Sequence, residues 1–237
     1  MTPDVRIFPD ASAAAEACAG HALNLLHSAV AVNGHASLAI SGGSTPKLMF
    51  DCMARSPFDW RNVHVFLVDE RAVPPDHEQS NYRMADEHLL RPAKIRNVHR
   101  IPAELKPEVA AKRYERDIRE HFQIGDGDLP HFDVVHLGLG PDAHTASLFP
   151  GEPLIEDRQG IAAAVYVAKI PQWRITLLPG VLLAARNMVI LAAGADKRNA
   201  LEQILTGPDA PLEYPAQIVT RQARRPVLFL DDAAAVK

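Results

Sequence analysis

A histidine and an aspartate lie two residues apart in a glycine-rich segment of this sequence. Asp142 and His144 belong to GLGPDAHTASLFP, residues 138–150, which follows a short apolar run at 133–137. Imidazole titrates near neutral pH, so a histidine can take a proton from water and return it to a leaving oxygen. A carboxylate can orient such a ring, although residues two apart need a suitable turn before their side chains meet. We therefore predict His144 as a general base and Asp142 as its partner; the alternative is a histidine that only caps local structure.

A second segment, SGGSTP at residues 41–46, follows the apolar run 36–40 and precedes a helical pattern. Gly42 and Gly43 let the backbone approach an anion, Ser44 adds a hydroxyl donor, and the N–H groups and dipole of a helix N-terminus favour phosphate. The segment is therefore a candidate phosphate site. The alternative is a tight turn with Thr45 as the helix N-cap. The spacing of a Walker loop is absent, and Ser41 lacks the first glycine of a nucleophile elbow.

Three cations complete the set of candidate binding residues. Arg71 lies in DERAVPP after the run 63–68, where it can donate a fork of hydrogen bonds to phosphate or carboxylate. Arg174 opens the run RITLLP, and Lys197 lies in GADK after the run 188–192. A cation at such a strand-to-helix junction can close onto a phosphate held by residues 41–46. The alternatives are a surface ion pair for Arg71 and a solvent-facing lysine for Lys197.

Two other kinds of site are disfavoured. Gly138, Gly140 and Ala143 fit a dinucleotide-binding fingerprint, but Pro150 and Gly151 interrupt the long helix that such a fingerprint usually opens. Asp142 and His144 are possible metal ligands, yet no compact motif supplies three ligands. We predict a mechanism without a metal and without a cofactor.

The elements that must position these residues alternate along the chain. Apolar or β-branched runs ending in Gly, Pro or Asp predict buried strands at 36–40, 63–68, 133–137, 162–168, 188–192 and 227–230. Helical patterns lie at 11–32, 46–54, 81–90, 107–122 and 197–205. This alternation predicts an α/β fold, Rossmann-like, with a mostly parallel sheet and helices on both faces. In such a sheet, ligands bind beyond the carboxyl ends of the strands. The three candidate segments, residues 41–46, 69–75 and 138–150, all follow predicted strands.

Composition limits the class of protein. The chain has 237 residues, 47% hydrophobic and 23% charged, and we expect one domain spanning 1–237. A net charge of −4 gives no general reason to bind nucleic acid or an anionic membrane, and no apolar run is long enough to span one. Two cysteines without a CxxC pair fit a reducing cytoplasm. The sequence does not set the oligomeric state.

Taken in order, SGGSTP, VDERAVP with Ser80-Asn81, GLGPDAHTASLFPG, RITL and GADK resemble the 6-phosphogluconolactonase family. The resemblance runs from about residue 35 to about residue 206, and HTASLFP is its specific part. SGGSTP is shared with the related glucosamine-6-phosphate isomerase/deaminase family. The wider superfamily has a Rossmann-like α/β fold.

The resemblance implies hydrolysis of 6-phospho-D-glucono-1,5-lactone to 6-phosphogluconate, in the oxidative pentose phosphate pathway, with no cofactor. It matches His144 to the family's histidine, residues 42–44 to its phosphate loop, and Arg71, Arg174 and Lys197 to its ligand-binding cations. Ala143 stands where the family usually has glycine, and a positive φ there would cost alanine about 1 kcal/mol.

Two alternative functions remain open. One is an amino-sugar phosphate isomerase/deaminase, although its expected IAFNEP is replaced here by TASLFP after His144. The other is a non-catalytic sugar-phosphate sensing domain. The sequence shows no helix-turn-helix segment or basic patch that would support the DNA-binding arrangement of such a regulator.

Overall fold

The computed structural model describes residues 3–236. Within them the chain forms ten strands: β1 Asp4–Phe8, β2 Ala36–Ile40, β3 Val63–Leu67, β4 Asp69–Arg71, β5 Val98–His99, β6 Val134–Leu137, β7 Ala162–Val167, β8 Gln172–Leu177, β9 Met188–Ala192 and β10 Pro226–Asp231. Seven of them form one sheet in the order β1-β10-β9-β6-β2-β3-β5, and every neighbouring pair is parallel. The other three form a small antiparallel sheet, β4-β8-β7.

Helices connect the strands of the large sheet. The α-helices of residues 3–236 are α1 Ala11–Asn33, α2 Ser44–Arg55, α3 Asn81–Ala85, α4 Pro107–Phe122, α5 Pro179–Ala184, α6 Arg198–Leu205 and α7 Ala216–Arg221. A π-helical turn, Asp86–Leu90, continues α3, and 3-10 turns occupy Pro153–Glu156 and Ala195–Lys197. No helix in this part of the chain is both long enough and apolar enough to cross a bilayer.

Both faces of the large sheet are buried at its central strands. In β2, Leu38 and Ile40 face a core that includes α1 and α2, whereas Ala39 faces the core that includes α4. Successive side chains of a strand point to opposite faces, so a strand covered on both sides reads as a continuous apolar run. All five residues of β2 and of β9 are buried accordingly.

The order of the strands reverses between β2 and β6. From β2 the chain adds β3 and then β5 toward one edge, and it then returns to place β6 on the other side of β2 and continues with β9. The loops that leave β2 and β6 therefore run in opposite directions and leave a crevice between them at the carboxyl ends of the strands. These loops begin at Ser41 and Gly138, so the predicted segments 41–46 and 138–150 lie together at the crevice.

The predicted fold class is confirmed, with differences in detail. The predicted strand 162–168 is β7, which belongs to the antiparallel sheet and is only partly buried. The strands β1, β4, β5 and β8 and the helices α5 and α7 were not predicted, because they are short or carry polar residues within the run. The helix predicted at 46–54 begins at Ser44, so Thr45 lies inside it and Gly43 is the N-cap. The single domain expected over 1–237 stays a prediction, and residues 1, 2 and 237 lie outside the described ones.

Candidate active site

A surface cleft opens at the carboxyl ends of β2, β3, β6 and β9. Its walls come mainly from loops that leave these strands: residues 41–46, Asp69, Arg71, residues 138–141, residues 144–146, Leu191, Ala192 and Lys197. Six of the eight predicted site residues therefore line one cleft: Gly42, Gly43, Ser44, Arg71, His144 and Lys197. Asp142 lies directly behind His144, and Arg174 lies elsewhere, as described below.

The N-terminus of α2 forms one wall of the cleft. Gly43 is the N-cap with φ 126°, a left-handed conformation that favours glycine, and no side chain caps the first turn. The uncapped N–H groups and the helix dipole give this wall a positive potential. Ser41 Oγ, also in the cleft wall, is buried and has no hydrogen-bond partner within residues 3–236. A bound anion would satisfy the uncapped N–H groups of this first turn.

His144 and Asp142 form a close pair on the opposite wall. His144 Nδ1 lies 2.6 Å from Asp142 Oδ1, and Lys169 Nζ lies 2.6 Å from Asp142 Oδ2. Hydrogen bonds from His144 and then from Lys169 hold the pKa of Asp142 well below its usual range. An ionised carboxylate only accepts hydrogen bonds, so Nδ1 carries the proton and Nε2 of His144 keeps its lone pair. The ring also stacks on Phe149 at a centroid distance of 4.1 Å, which fixes its plane.

A tight turn brings the two side chains together. Gly140 N–H donates to His144 O at 2.9 Å, and Ala143 N–H donates to Gly140 O at 3.0 Å. Ala143 has φ 61°, so the position does adopt the left-handed conformation for which glycine is favoured. Its methyl group is fully buried, and its carbonyl accepts from Ala216 N–H at 2.9 Å. The turn that the sequence required for an Asp142–His144 contact is thus formed in spite of alanine.

Arg71 is held at the cleft by the segment before α3. Its Nη1 donates to Gln79 O at 3.0 Å and to Asn81 Oδ1, while its Nε is buried without a partner within residues 3–236. Asn81 also packs against Gly42: a Cβ on Gly42 would lie 1.9 Å from Asn81 Oδ1. Asn81 therefore contacts both Arg71 and the predicted phosphate loop, the latter at Gly42.

Glu70, next to Arg71, is a structural residue. Its buried carboxylate accepts from Ser80 Oγ and from the N–H groups of Arg71, Asn81 and Tyr82. Burial raises the pKa of Glu70 against the effect of these bonds. Because Glu70 is buried and its carboxylate accepts from backbone N–H groups and Ser80, it does not form a surface ion pair with the Arg71 side chain.

Arg174 is not part of the cleft wall. It pairs with Arg71 across β4 and β8, is only 9% exposed, and places Nη1 4.0 Å from Asp69 Oδ2. Burial lowers its pKa, with Asp69 acting in the opposite direction. Asp69 in turn accepts from Ser147 Oγ at 2.7 Å. The phosphate contact expected for Arg174 therefore has no direct geometric support; the side chain lies beneath Asp69 and compensates its charge.

Lys197 reaches the cleft from the 3-10 turn that follows β9. Its Nζ lies 2.8 Å from Asp196 Oδ2, an oxygen of a largely exposed side chain. Because the Asp196 carboxylate is largely exposed, the pair contributes little, and a phosphate can replace Asp196 as the partner of the ammonium group.

Sequence reasoning missed three residues of this site. Lys169 carries no motif, and Ser147 was read only as part of a segment. Asn81 belongs, with Ser80, to the sequence resemblance but has no predicted role, because its contacts with Arg71 and Gly42 depend on where α3 begins. A polar residue directly after the N-cap Ser80 was the only available signal for Asn81.

A doubly wound α/β fold with an uncapped helix N-terminus, two cations and an Asp–His pair in one crevice defines the site of an enzyme for a small anionic ligand. The chain belongs to the family of glucosamine-6-phosphate isomerases/6-phosphogluconolactonase, whose sequence profile matches residues 9–228. A 6-phosphogluconolactonase of Nostoc sp. is 36% identical over 99% of this chain and 98% of its own length. The human 6-phosphogluconolactonase is 42% identical, covering 84% of this chain and 79% of its own.

Solved structures agree with this family. A 6-phosphogluconolactonase from Trypanosoma cruzi superposes with a TM-score of 0.88 at 26% identity, covering 99% of this chain and 97% of its own. A monomeric glucosamine-6-phosphate deaminase superposes with a TM-score of 0.83 at 16% identity, over 98% of each chain. At that identity the second likeness concerns the fold alone.

Proposed function

We propose that the protein hydrolyses 6-phospho-D-glucono-1,5-lactone to 6-phosphogluconate, with His144 as the general base. The observation that carries the proposal is the Asp142–His144 pair facing an uncapped helix N-terminus across one cleft. The names of relatives support lactone hydrolysis, since the proteins of Nostoc, Synechocystis and human are named 6-phosphogluconolactonase and align over most of both chains.

The phosphate occupies the wall formed by Gly43, Ser44 and the N-terminus of α2, with Lys197 as its cation. A dianion at this position gains from the helix dipole, from the N–H groups and from the ammonium charge together. Binding energy from the phosphate then fixes the distance of the lactone carbonyl from His144. Arg174 supports this wall indirectly by holding the charge of Asp69 in place.

The reaction needs one water molecule and no cofactor. Nε2 of His144 takes a proton from water while the hydroxide forms a bond to C1 of the lactone, and the carbonyl becomes a tetrahedral oxyanion. Arg71 lines the cleft and carries a guanidinium charge, which suits it to stabilise that oxyanion. When the C1–O5 bond breaks, the ring oxygen takes the proton from the imidazolium, and the acid product ionises.

Asp142 and Lys169 act on His144 and do not touch the substrate. The Asp142 carboxylate holds the proton on Nδ1 and stabilises the imidazolium during the reaction. Lys169 fixes the second oxygen of that carboxylate. The ring thus presents Nε2 to the cleft in each turnover.

Replacement of His144 by glutamine tests the proposal. Because general-base catalysis contributes about 10²–10⁴-fold, we expect kcat/KM for freshly generated lactone to fall by at least about 100-fold, with KM little changed. The lactone opens spontaneously, so proton release is followed with and without enzyme and the difference is taken. If folded His144→Gln protein keeps the wild-type rate, the base is another group.

The rival deaminase activity has a separate readout. Ammonia release from glucosamine 6-phosphate would support it, and we expect none above background. The TASLFP sequence after His144 and the lactonase relatives favour the hydrolase. A binding-only sensor would show no acceleration of lactone opening by the wild-type protein.

We also place the reaction in the cytoplasm. Cys18 and Cys52 are both free thiols, as expected for a reducing compartment. Fractionation of cells that produce the protein would test this assignment.

A further inference from the structure

Three histidine side chains from distant parts of the sequence meet away from the cleft. His64 lies in β3, His99 ends β5, and His121 lies in the last turn of α4. Each offers one ring nitrogen, and the three nitrogens lie within 4.8 Å of one another. The ring centroids are 4.4 to 5.4 Å apart. We call this group the histidine cluster.

The spacing of the nitrogens suits a small divalent ion. Zn–N bonds are about 2.0–2.1 Å, so two ligands of a tetrahedral ion lie about 3.3 Å apart. His64 Nδ1 and His99 Nε2 are separated by 3.1 Å, which is close to that value. A modest rotation of His121 would complete a three-nitrogen site and leave the fourth position to water.

A carboxylate already orients one of the three rings. Asp117 Oδ2 lies 3.0 Å from His99 Nδ1. The carboxylate accepts that N–H, so the lone pair of His99 lies on Nε2, which is the nitrogen directed at His64. An acid behind a histidine in this way is the common outer partner of a metal ligand, because it fixes the tautomer and raises the basicity of the ring.

The protonation of the cluster agrees with metal binding. Burial lowers the pKa of His64, and the neighbouring His99 and His35 add to the effect. Burial and the same kind of neighbours lower the pKa of His121 to about 4, against the opposing charge of Asp117. Both shifts favour the neutral rings, the form in which imidazole ligates a metal. His64 Nδ1, which donates to His99 Nε2 in the metal-free pair, would pass its proton to the other ring nitrogen when the ion binds.

The cluster is pre-formed and reachable from solvent. Phe66 stacks on His99 at 4.1 Å between centroids and contacts His121 edge-on, which fixes both rings. All three histidines are half-buried, so part of each residue faces solvent. The close spacing of their nitrogens means that the ligands need little rearrangement.

We propose that His64, His99 and His121 bind one divalent transition-metal ion, Zn²⁺ by ligand type, with Asp117 as a positioning residue. Imidazole ligands suit Zn²⁺, Co²⁺, Ni²⁺ and Cu²⁺ and do not suit Mg²⁺ or Ca²⁺. Bound metal joins β3, β5 and the C-terminal end of α4. His64 precedes Asp69 by five residues of extended chain, about 16 Å, so the site is separate from the cleft and its occupancy leaves lactone hydrolysis unchanged.

The competing explanation is an aromatic cluster with one hydrogen bond between His64 and His99. That arrangement would bind metal no better than scattered surface histidines. The metal site predicts one ion per chain, a tetrahedral ligand field and weaker binding when Asp117 is replaced. The aromatic cluster predicts none of these three results.

Cobalt titration of untagged, chelator-treated protein tests the proposal. We expect one Co²⁺ per chain, with the visible absorption of a tetrahedral ion, displaced by one equivalent of Zn²⁺. His64→Gln and His121→Gln should weaken binding by at least 100-fold, and Asp117→Asn by about 10–100-fold. His27→Gln, at an exposed histidine outside the cluster, is the matched control and should bind as wild type.

Two further measurements separate metal binding from a structural effect and from the cleft. Thermal unfolding with and without Zn²⁺ should show a stabilisation that Asp117→Asn reduces, and this variant retains every ring of the cluster. His144→Gln should keep the full Co²⁺ affinity, which separates the cluster from the cleft. Absence of a tetrahedral spectrum, or equal affinity in wild type, His64→Gln and His121→Gln, would overturn the metal site.

Discussion

Gly140 and Gly138 offer a direct test of the idea that the position of His144 controls the rate. Neither has a positive φ, so the cost of a methyl group at either one is steric. A Cβ on Gly140 would lie 2.0 Å from His144 Nδ1 and 2.8 Å from Asp142 Oδ1. A Cβ on Gly138 would meet only Pro46 Cγ, at 3.9 Å.

The size of the effect follows from the displacement. Gly140 is fixed by hydrogen bonds to His144 O and from Ala143 N–H, so its backbone has little freedom to move away. His144 must therefore shift by about 1.4 Å to change the 2.0 Å contact into an ordinary one of 3.4 Å. A misplacement of about 1 Å costs about 10²-fold in rate, which corresponds to about 2.7 kcal/mol of activation free energy.

We therefore expect Gly140→Ala to lower kcat on freshly generated lactone by about 100-fold or more. Gly138→Ala should stay within about threefold of wild type. Proton release above the spontaneous rate gives kcat and KM, and thermal unfolding shows whether each variant is folded. If folded Gly140→Ala protein is as active as Gly138→Ala, the placement of His144 against Asp142 does not govern the reaction.

Two further predictions concern oxyanion stabilisation and acid stability. Gly42→Ala places a Cβ 1.9 Å from Asn81 Oδ1 and should displace the amide that holds Arg71, the proposed oxyanion partner, so kcat for the lactone should fall about 10-fold or more; an unchanged kcat would show that Asn81 does not position Arg71. His136 is fully buried, and burial lowers its pKa to about 4, whereas the unfolded chain protonates near 6.5. Because the unfolded state binds the proton first, stability falls as the pH drops from about 6.5 to about 4, and His136→Met should reduce the loss between pH 7 and pH 4.5 by about 2 kcal/mol. Urea unfolding of both proteins at the two pH values measures this, and identical pH dependences would contradict it.

The sequence predicted the parallel sheet because its central strands are buried on both faces. Apolar runs such as those of β2 and β9 have few other interpretations when turn residues bound them. The candidate loops followed from the same runs, because ligand-binding loops leave the carboxyl ends of parallel strands. This explains why the glycine loop, His144 and Lys197 were found together.

What the sequence did not reveal depends on contacts between distant elements. Arg174 was expected at the phosphate, but the antiparallel pairing of β4 with β8 places it beneath Asp69. Lys169 reaches Asp142 across 27 positions of sequence. His64, His99 and His121 follow no ligand spacing, since three separate elements supply them.

Ala143 shows how the local cost of the active-site turn is compensated. Its left-handed conformation costs alanine about 1 kcal/mol relative to glycine. Its methyl group is fully buried against Ala200, Ile204 and Ala216, and burial of one such group contributes about 0.8 kcal/mol. The two effects are of similar size and opposite sign. The direction of His144 is therefore set by the hydrogen bonds of the turn, by Asp142 and by the stacked Phe149, and does not require glycine at this position.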